Sequence, residues 1–431
     1  MKRITLITLM GLVLALTGVA GDDFLIQDGD RVVIWGDSIT DNAFYPRSVE
    51  NYVLSHYPDW TVEFHNLGWG GDRSVTLERM KRDLPQYKPT FVTIKLGMND
   101  GMYTAFSQEH FDTYIKGYKQ LLDFLKNHTE ARIVLISTVP YETDVVPVRK
   151  IGEADVDMAV YTETLERFSA GVAQLAKDYG VGYIDLNADY AGALREGKAA
   201  DPGFKLSGDA IHPDVNGQAY MAYSVLKGLN AGDAIAEVEI DAQAGTILAE
   251  QNAFLQNLKV EDNRITFTRN DRALPFRFSS EAQWNSQLTK KEQWYNDLNM
   301  DRLVVKNLPH PYASLAIDGQ TLAVFSREAL EQGINLSLLP DSPMLKQGAM
   351  IADMTEKRHQ AEYTRWRRVL LNGVWSPHDF RPYHPETAEA RYLQEVVCFY
   401  HQMQRKYNDP QPRFFTLTGG EKEALEATLK N

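Results

Sequence analysis

The sequence predicts an α/β protein whose first half builds a five-stranded parallel sheet with helices on both faces. Short apolar runs of strand length alternate there with amphipathic stretches of helical length. The predicted strands are residues 31–35, 61–65, 91–96, 133–137 and 181–185. Between them, residues 111–125 place apolar side chains three and four positions apart, the spacing of a helix buried on one face. This alternation is typical of parallel sheets covered on both sides.

Polar and glycine-rich segments follow directly after the predicted strands. Ser38 comes after the first strand, residues 68–72 after the second, Asn99 after the third and residues 138–142 after the fourth. Parallel strands joined by right-handed crossovers end at a common edge of the sheet, where ligands bind in open α/β folds. We therefore expect these segments to meet.

A boundary is predicted at residues 228–236, beyond which the pattern changes. Strands are predicted at residues 260–268, 302–306, 312–317 and 321–325, the last two joined by the hairpin sequence Asp318-Gly319. Two helices are predicted at residues 344–371 and 386–406, with prolines between them. The predicted organisation is a signal peptide at residues 1–20, a main domain at 24–228 and an accessory mixed β and helical region at 229–431.

The amino terminus predicts export to the periplasm or the extracellular space. A basic start, Met1-Lys2-Arg3, precedes an apolar stretch that ends in small residues at Gly18 and Ala20, which is the pattern of a secretory signal peptide. The alternative is a membrane anchor. No later stretch has the length and apolar character of a membrane span, so no stable membrane insertion is expected after cleavage.

Composition restricts the partners and cofactors. The 431 residues carry a formal net charge of −13, which disfavours nucleic acid and anionic membrane surfaces as partners. The single cysteine, Cys398, excludes an intramolecular disulfide. Because there is no His-x-x-x-His or Cys-x-x-Cys pair, no metal site is predicted, and no cofactor is expected.

Three short motifs carry residues suited to acyl transfer. Ser38, within Gly36-Asp37-Ser38, lies where a turn after a strand can expose a hydroxyl nucleophile, although the same residues suit a helix cap. His212 follows Asp209 by three residues. This carboxylate can keep one imidazole nitrogen protonated and leave the other to accept the Ser38 proton. An ordinary solvent-facing turn is the alternative for this pair.

Three groups are candidates for stabilising the negative oxygen of a tetrahedral intermediate. They are the backbone N–H of Ser38, the backbone N–H of Gly71 and the side-chain amide of Asn99. Gly68 is an alternative to Gly71, because residues 66–72 contain three glycines. Tight-turn and loop roles are the alternatives for the glycines and for Asn99.

In this order, the motifs resemble those of the SGNH hydrolases, also called GDSL-type esterases and lipases, over about residues 31–226. The resemblance implies a flavodoxin-like three-layer α/β/α sandwich. It also implies Ser38 as nucleophile and oxyanion donor, Gly71 and Asn99 as further donors, His212 as base and Asp209 as its partner. Exported bacterial members with a Leu-Gly-Trp-x-Gly-Asp motif and a long carboxyl-terminal extension resemble carbohydrate acetylesterases.

The leading hypothesis is a serine esterase that removes short acyl groups, above all acetyl, from a polysaccharide or oligosaccharide through an acyl-serine intermediate. One alternative is a lipase, lysophospholipase or thioesterase acting on longer chains. The other is a non-catalytic glycan-binding protein on a hydrolase fold.

Substrate contacts are predicted for Trp69, Met102 and Tyr103. A carbohydrate platform or a packed core is predicted for a set in the carboxyl-terminal region: Tyr363, Trp366, Arg367, Trp375 and Tyr383. The sequence does not predict an oligomeric state.

Overall fold

The computed structural model describes residues 24–232, 234–278 and 291–430. The predicted signal peptide, residues 1–20, lies outside these described residues. Within them, none of the helices combines the length and the apolar character that crossing a membrane requires.

The first part of the chain forms the predicted parallel sheet. Its elements are β1 Arg31–Gly36, α1 Ser38–Asp41, α2 Phe44–His56, β2 Glu63–Gly68, α3 Leu77–Asp83, β3 Phe91–Lys95, α4 Gln108–His128, β4 Arg132–Ile136, β5 Val148–Ile151, β6 Ala154–Asp157, α5 Ala159–Tyr179, β7 Gly182–Ile184, α6 Leu186–Ala200 and α7 Val215–Gly228. The sheet has the order β2-β1-β3-β4-β7, and every neighbouring pair is parallel. This is the flavodoxin-like order, so the predicted fold class is confirmed.

Both faces of the sheet are buried, as the continuous apolar runs of its strands require. In β1, Val32 and Ile34 point into a core formed with α2, α6 and α7. The alternate residues Val33 and Trp35 point into a second core formed with α3, α4 and α5. Successive side chains of a strand face opposite sides. The main domain is therefore a three-layer α/β/α sandwich.

The rest of the chain adds two further sheets and a helical layer. Its elements are β8 Ala236–Asp241, β9 Thr246–Gln251, β10 Ala253–Glu261, β11 Arg264–Asp271, α8 Lys291–Leu298, β12 Asp301–Lys306, β13 Tyr312–Ile317, β14 Gln320–Ser326, α9 Arg327–Gln332, β15 Ile334–Asn335, α10 Pro343–Tyr363, α11 Ala388–Tyr407, β16 Arg413–Gly420 and α12 Lys422–Glu426. One sheet has the antiparallel order β10-β11-β16-β13-β14, and the other has the order β15-β12-β8-β9.

The structure corrects three expectations for this region. The strand predicted at residues 260–268 crosses a turn, because β10 ends at Glu261 and Asp262 has a φ of 30°. The helix predicted at residues 344–371 is α10 followed by a π-helical segment, Thr364–Leu370. Strands β8, β9, β15 and β16 and most of β10 were not predicted. Strand β9 has no buried face, since all six of its residues are exposed.

The carboxyl-terminal region, residues 229–431, packs directly on the main domain through α10. Arg358 of α10 donates to Glu50 of α2, with 2.6 Å between Nη2 and Oε2, and both side chains are buried. One turn further, Glu362 accepts from His65 of β2. The boundary between residues 228 and 229 stays a prediction. These contacts join the two parts of the chain through charged groups withdrawn from water.

Candidate active site

Four loops meet at the carboxyl ends of the parallel strands. Three of them follow β1, β2 and β3, and the fourth precedes α7. Strand β1 lies between β2 and β3. The chain therefore leaves β1 towards one edge of the sheet and β3 towards the other. Open α/β sheets bind ligands at the carboxyl ends of two such neighbouring strands.

Ser38, His212 and Asp209 form a continuous hydrogen-bonded chain at this edge. The Ser38 Oγ lies 2.8 Å from the His212 Nε2, although 174 positions separate the two residues in the sequence. The His212 Nδ1 lies 2.7 Å from the Asp209 Oδ2. With Nδ1–H donating to the carboxylate, Nε2 is the free acceptor for the serine proton. The structure thus brings together the three residues that the sequence singled out.

The turn that carries His212 is held by Asp209. The Asp209 Oδ1 accepts from the backbone N–H groups of Ile211, at 3.0 Å, and His212, at 2.7 Å. Partial burial acts to raise the pKa of Asp209, but the hydrogen bonds from His212 outweigh it and lower this pKa to about 2. Ala210, between them, has a φ of 71°, which is strained for a residue with a Cβ. Asp209 is therefore ionised at neutral pH and can accept a hydrogen bond from the His212 Nδ1.

Glu142 braces the same turn from the loop after β4. Its backbone N–H donates to the Ala210 carbonyl at 3.0 Å, and its Oε2 accepts from the Leu206 N–H at 3.1 Å. Burial raises the pKa of Glu142 to about 7. Glu142 thus contacts this segment at two points, through its backbone N–H and through its carboxyl group.

The loop that presents Ser38 rests on a buried ion pair. Asp37 caps α1, since its Oδ1 accepts from the Ile39 N–H at 3.0 Å. Lys95, at the end of β3, lies 3.0 and 3.2 Å from the two Asp37 oxygens, and neither side chain has any exposed surface. Burial lowers the pKa of Lys95, and Asp37 opposes this shift. The pair joins the loops after β1 and β3.

The glycine loop, residues 69–73, contains a candidate donor with no partner. Gly71 has a φ of 76°, and no hydrogen bond involves its backbone N–H in the part of the chain that the structure describes. Gly68 donates to the Asn66 Oδ1 at 2.9 Å. A Cβ on Gly68 would lie 2.2 Å from the Asp41 backbone nitrogen, so Gly68 serves close packing. Of the two alternatives, Gly71 has the available N–H.

Asn99 is fixed by two hydrogen bonds that orient its amide. The Asn99 Nδ2 donates to the Asp72 carbonyl at 3.0 Å, and the Asn99 Oδ1 accepts from the Tyr103 hydroxyl at 2.9 Å. An amide nitrogen has two N–H groups. One therefore holds the glycine loop, and the other stays available for a substrate oxygen.

The predicted substrate contacts lie in different environments. Met102 is 43% exposed. Tyr103 is half-buried and uses its hydroxyl on Asn99, while the Arg149 guanidinium covers its ring at 4.4 Å. Trp69 is 1% exposed and packs edge-on against Trp366. Trp69 therefore supports the loop from inside and offers no face to a substrate in this structure.

The carbohydrate platform suggested by the carboxyl-terminal aromatics does not form as a single surface. Trp366 is 2% exposed, and the Tyr383 hydroxyl donates to Asp83 at 2.9 Å. Arg367 lies over the Trp69 ring with 3.4 Å between the guanidinium carbon and the ring centroid. Trp375, in contrast, is 78% exposed. Most of the set is packing, and Trp375 alone among these residues presents a large open aromatic face.

The sequence reasoning missed Lys95, and it considered Arg367 only as part of a carbohydrate platform or packed core. Lys95 could have been found, because a lysine within the apolar run 91–96 requires a buried partner. The contacts of Arg367 with Trp69 and Asp41 carried no comparable signal, since these residues are about 300 positions away in the sequence. Among the described residues, no group of three or more His, Cys, Asp or Glu side chains is arranged to hold a metal ion.

Comparisons with known proteins show what the main domain is similar to. Residues 34–220 match the GDSL-like lipase/acylhydrolase family. A comparison with curated proteins finds no match. Among solved structures, the chain is similar to BT4096, a gut microbial diltiazem-metabolizing enzyme, with a TM-score of 0.79 and 23% identity over 93% of this chain and 100% of that one. It is also similar to Axe2, an acetylxylan esterase from Geobacillus stearothermophilus, with a TM-score of 0.39 and 21% identity over 48% of this chain and 96% of that one.

The likeness to the first of these structures concerns the fold. It extends over 93% of the chain. It therefore includes the carboxyl-terminal region, so the parallel sheet and the regions that follow it occur together in another protein.

Proposed function

We propose that the protein is an esterase whose Ser38 attacks short acyl esters of carbohydrates. The match of residues 34–220 to the GDSL-like lipase/acylhydrolase family supports this proposal. His212 is the proposed general base, and Asp209 orients it. The proposed oxyanion donors are the backbone N–H groups of Ser38 and Gly71 and the side chain of Asn99. One observation carries these assignments: the Ser38, His212 and Asp209 side chains are linked by hydrogen bonds of 2.8 and 2.7 Å.

In the first half of the reaction, the Ser38 Oγ bonds to the ester carbonyl carbon while its proton moves to the His212 Nε2. The carbonyl oxygen becomes negative and accepts hydrogen bonds from the three donors. When the bond to the alcohol oxygen breaks, His212 gives its proton to that oxygen. The products of this half are the free alcohol and the acyl-serine.

In the second half, water takes the place of the alcohol. His212 accepts a proton from water as the water oxygen bonds to the acyl carbon, and the negative oxygen again receives the three hydrogen bonds. The bond to the Ser38 Oγ then breaks, and His212 returns the proton to it. The carboxylic acid is released, and the enzyme regains its starting state.

A carbohydrate alcohol is supported by side chains around the site. The Arg73 guanidinium lies 3.6 Å from the Met102 sulfur and 3.4 Å from the His378 Nε2. His378 belongs to the same loop as the exposed Trp375. Cationic, imidazole and flat aromatic groups suit an alcohol that carries several hydroxyl groups. Acetyl is the proposed acyl group, and longer acyl chains are the alternative that the assays below separate.

The first test is hydrolysis of p-nitrophenyl acetate by the wild type, Ser38→Ala and Ser107→Ala. Ser107 caps α4 and supplies a matched serine control. We expect Ser38→Ala to lose about 10⁶-fold in kcat and Ser107→Ala to retain activity. Comparable rates for Ser38→Ala and the wild type would remove Ser38 from the mechanism.

Substrate class is tested separately by acetate release from acetylated xylan, mannan, pectin and rhamnogalacturonan. We expect release from at least one of them and a higher kcat/KM for acetyl than for octanoyl esters. A preference for octanoyl esters would favour a lipase or thioesterase. Binding of glycans without any ester hydrolysis would favour the non-catalytic alternative.

A further inference from the structure

The carboxyl-terminal region touches the glycine loop, residues 69–73, near both of its ends. Arg367 covers Trp69 at the start of the loop. At the other end, the His378 Nε2 lies 3.4 Å from the Arg73 Nη2. Between these residues lies Gly71, a proposed oxyanion donor. The carboxyl-terminal region therefore contacts the loop on both sides of that donor.

The Arg367 side chain contacts both Trp69 and Asp41. Its guanidinium carbon lies 3.4 Å from the Trp69 ring centroid, which is a stacked cation–π geometry. Its Nη1 lies 3.6 Å from the Asp41 Oδ1. The Arg367 side chain is 12% exposed, so water screens this ion pair weakly.

Asp41 links Arg367 to the glycine loop. Its second oxygen, Oδ2, accepts from the Gly70 backbone N–H at 3.3 Å. Burial raises the pKa of Asp41, and the nearby Arg367 opposes that shift and so favours the ionised acceptor. A Cβ built on Gly70 would lie 4.0 Å from the Ser38 Cβ. Gly70 therefore lies beside the nucleophile, and the next residue is Gly71.

A second path connects the same two parts of the molecule. The Tyr383 hydroxyl donates to the Asp83 Oδ1 at 2.9 Å. Arg79 lies between Asp83, at 3.5 Å, and Asp72, and all three of these charged side chains are fully buried. Because the Asp72 carbonyl accepts from the Asn99 amide, the carboxyl-terminal region also supports the third proposed donor.

The local backbone around Arg367 is unusual. Residues Thr364–Leu370 form a π-helical segment at the end of α10. Such segments are rare and frequently occur at functional sites. The wider turn places Trp366 against Trp69 edge-on and Arg367 over its face.

We propose that Arg367 is a positioning residue for the oxyanion donors, acting through Asp41 on Gly70 and through Trp69 on the start of the glycine loop. This inference rests on the proposed function. It makes the carboxyl-terminal region a part of the catalytic apparatus. Lysine is expected to replace arginine only in part, because a lysine ammonium can pair with Asp41 but cannot stack a planar group on Trp69 at the same time.

The test compares Arg367→Met, Arg367→Lys and Asp41→Asn with the wild type in hydrolysis of p-nitrophenyl acetate by the full chain. We expect Arg367→Met to lower kcat about 10- to 100-fold with less than a twofold change in KM. This loss is smaller than the 10²- to 10³-fold loss typical when a donor is removed outright. Arg367→Lys should recover part of the loss. Combining Arg367→Met with Asp41→Asn should cost little more than either change alone.

The matched control is Glu356→Gln, which removes another contact between the two parts of the chain, the 3.3 Å pair with Arg47. It should leave kcat near the wild-type value. A kcat loss in Arg367→Met no larger than in Glu356→Gln would overturn the proposal, as would a change confined to KM. If Arg367→Met fails to fold, Arg367→Lys and Asp41→Asn decide by the same criteria. Failure of the proposed function has a different signature, namely equal activity in the wild type and Ser38→Ala.

Discussion

Replacing Lys95 by methionine tests whether the nucleophile loop depends on a buried charge pair. Lys95 contacts both Asp37 oxygens, and both side chains have 0% exposed surface. The change leaves the Asp37 carboxylate without its cation and out of reach of water. Removing one partner of a buried pair typically costs about 3–5 kcal/mol of unfolding free energy. For a domain of this size, that corresponds to a fall in Tm of roughly 6–20 °C.

The assay is urea unfolding followed by circular dichroism, with Tm measured in parallel. Lys81→Met is the control, because Lys81 pairs with Glu78 at 2.7 Å on the surface, with side chains 45% and 55% exposed. An exposed pair is worth about 0–1 kcal/mol. The double variant Asp37→Asn/Lys95→Met removes both charges and keeps an asparagine cap on α1. It should be more stable than Lys95→Met.

Two results would refute this reasoning. Lys95→Met could cost no more than Lys81→Met, which would show that Asp37 finds another partner or becomes protonated without penalty. Alternatively, the double variant could be as unstable as Lys95→Met, which would make lost packing rather than the unpaired carboxylate the source of the effect.

Further predictions concern the oriented amide, the braced turn and the contact between the two parts of the chain. Tyr103→Phe removes the hydrogen bond to Asn99 and should lower kcat about 2- to 10-fold in ester hydrolysis, whereas an unchanged kcat would make this bond irrelevant. Since burial raises the pKa of Glu142 to about 7 from its usual 4.5, its contribution to the unfolding free energy is full below pH 4.5 and is lost as the pH rises to 7. Relative to wild type, Glu142→Gln should therefore gain about 3 kcal/mol between pH 4.5 and 7.5 in urea titrations, and a constant difference would contradict this. Arg358→Met strands the buried Glu50 carboxylate and should cost about 3–5 kcal/mol, measured as a fall in the urea midpoint; a cost below 1 kcal/mol would argue against a charged Glu50.

Much of the fold was readable from local patterns. The strands of the parallel sheet lie within about three residues of their predicted positions at either end, because each is a short apolar run bounded by polar turns. The predicted hairpin at Asp318-Gly319 forms between β13 and β14. Strand β9 could not be predicted in the same way, because none of its residues is buried and the apolar alternation that identifies strands is absent.

The candidate site was readable for a related reason. Ser38, Asn99 and the Asp209 to His212 turn each lie in a loop next to a recognisable strand or helix. A parallel sheet gathers such loops at one edge. Topology placed Ser38 and Asn99 at this edge, and the resemblance to the SGNH hydrolases implied that His212 lies beside Ser38. The choice between Gly68 and Gly71 did not follow from either, because it depends on which N–H already has a partner.

The type of sheet and the edge at which the chemically capable residues lie could be predicted from the sequence, since strand periodicity and loop order are local properties of the chain. The groups that hold these residues in place became evident only from the folded structure. Arg367 lies over Trp69, and Arg358 pairs with Glu50, across about 300 residues of intervening sequence. Such contacts form only when distant helices and strands pack together. Burial then strengthens the interaction between the charges, and a local sequence pattern does not show which residues will be buried together.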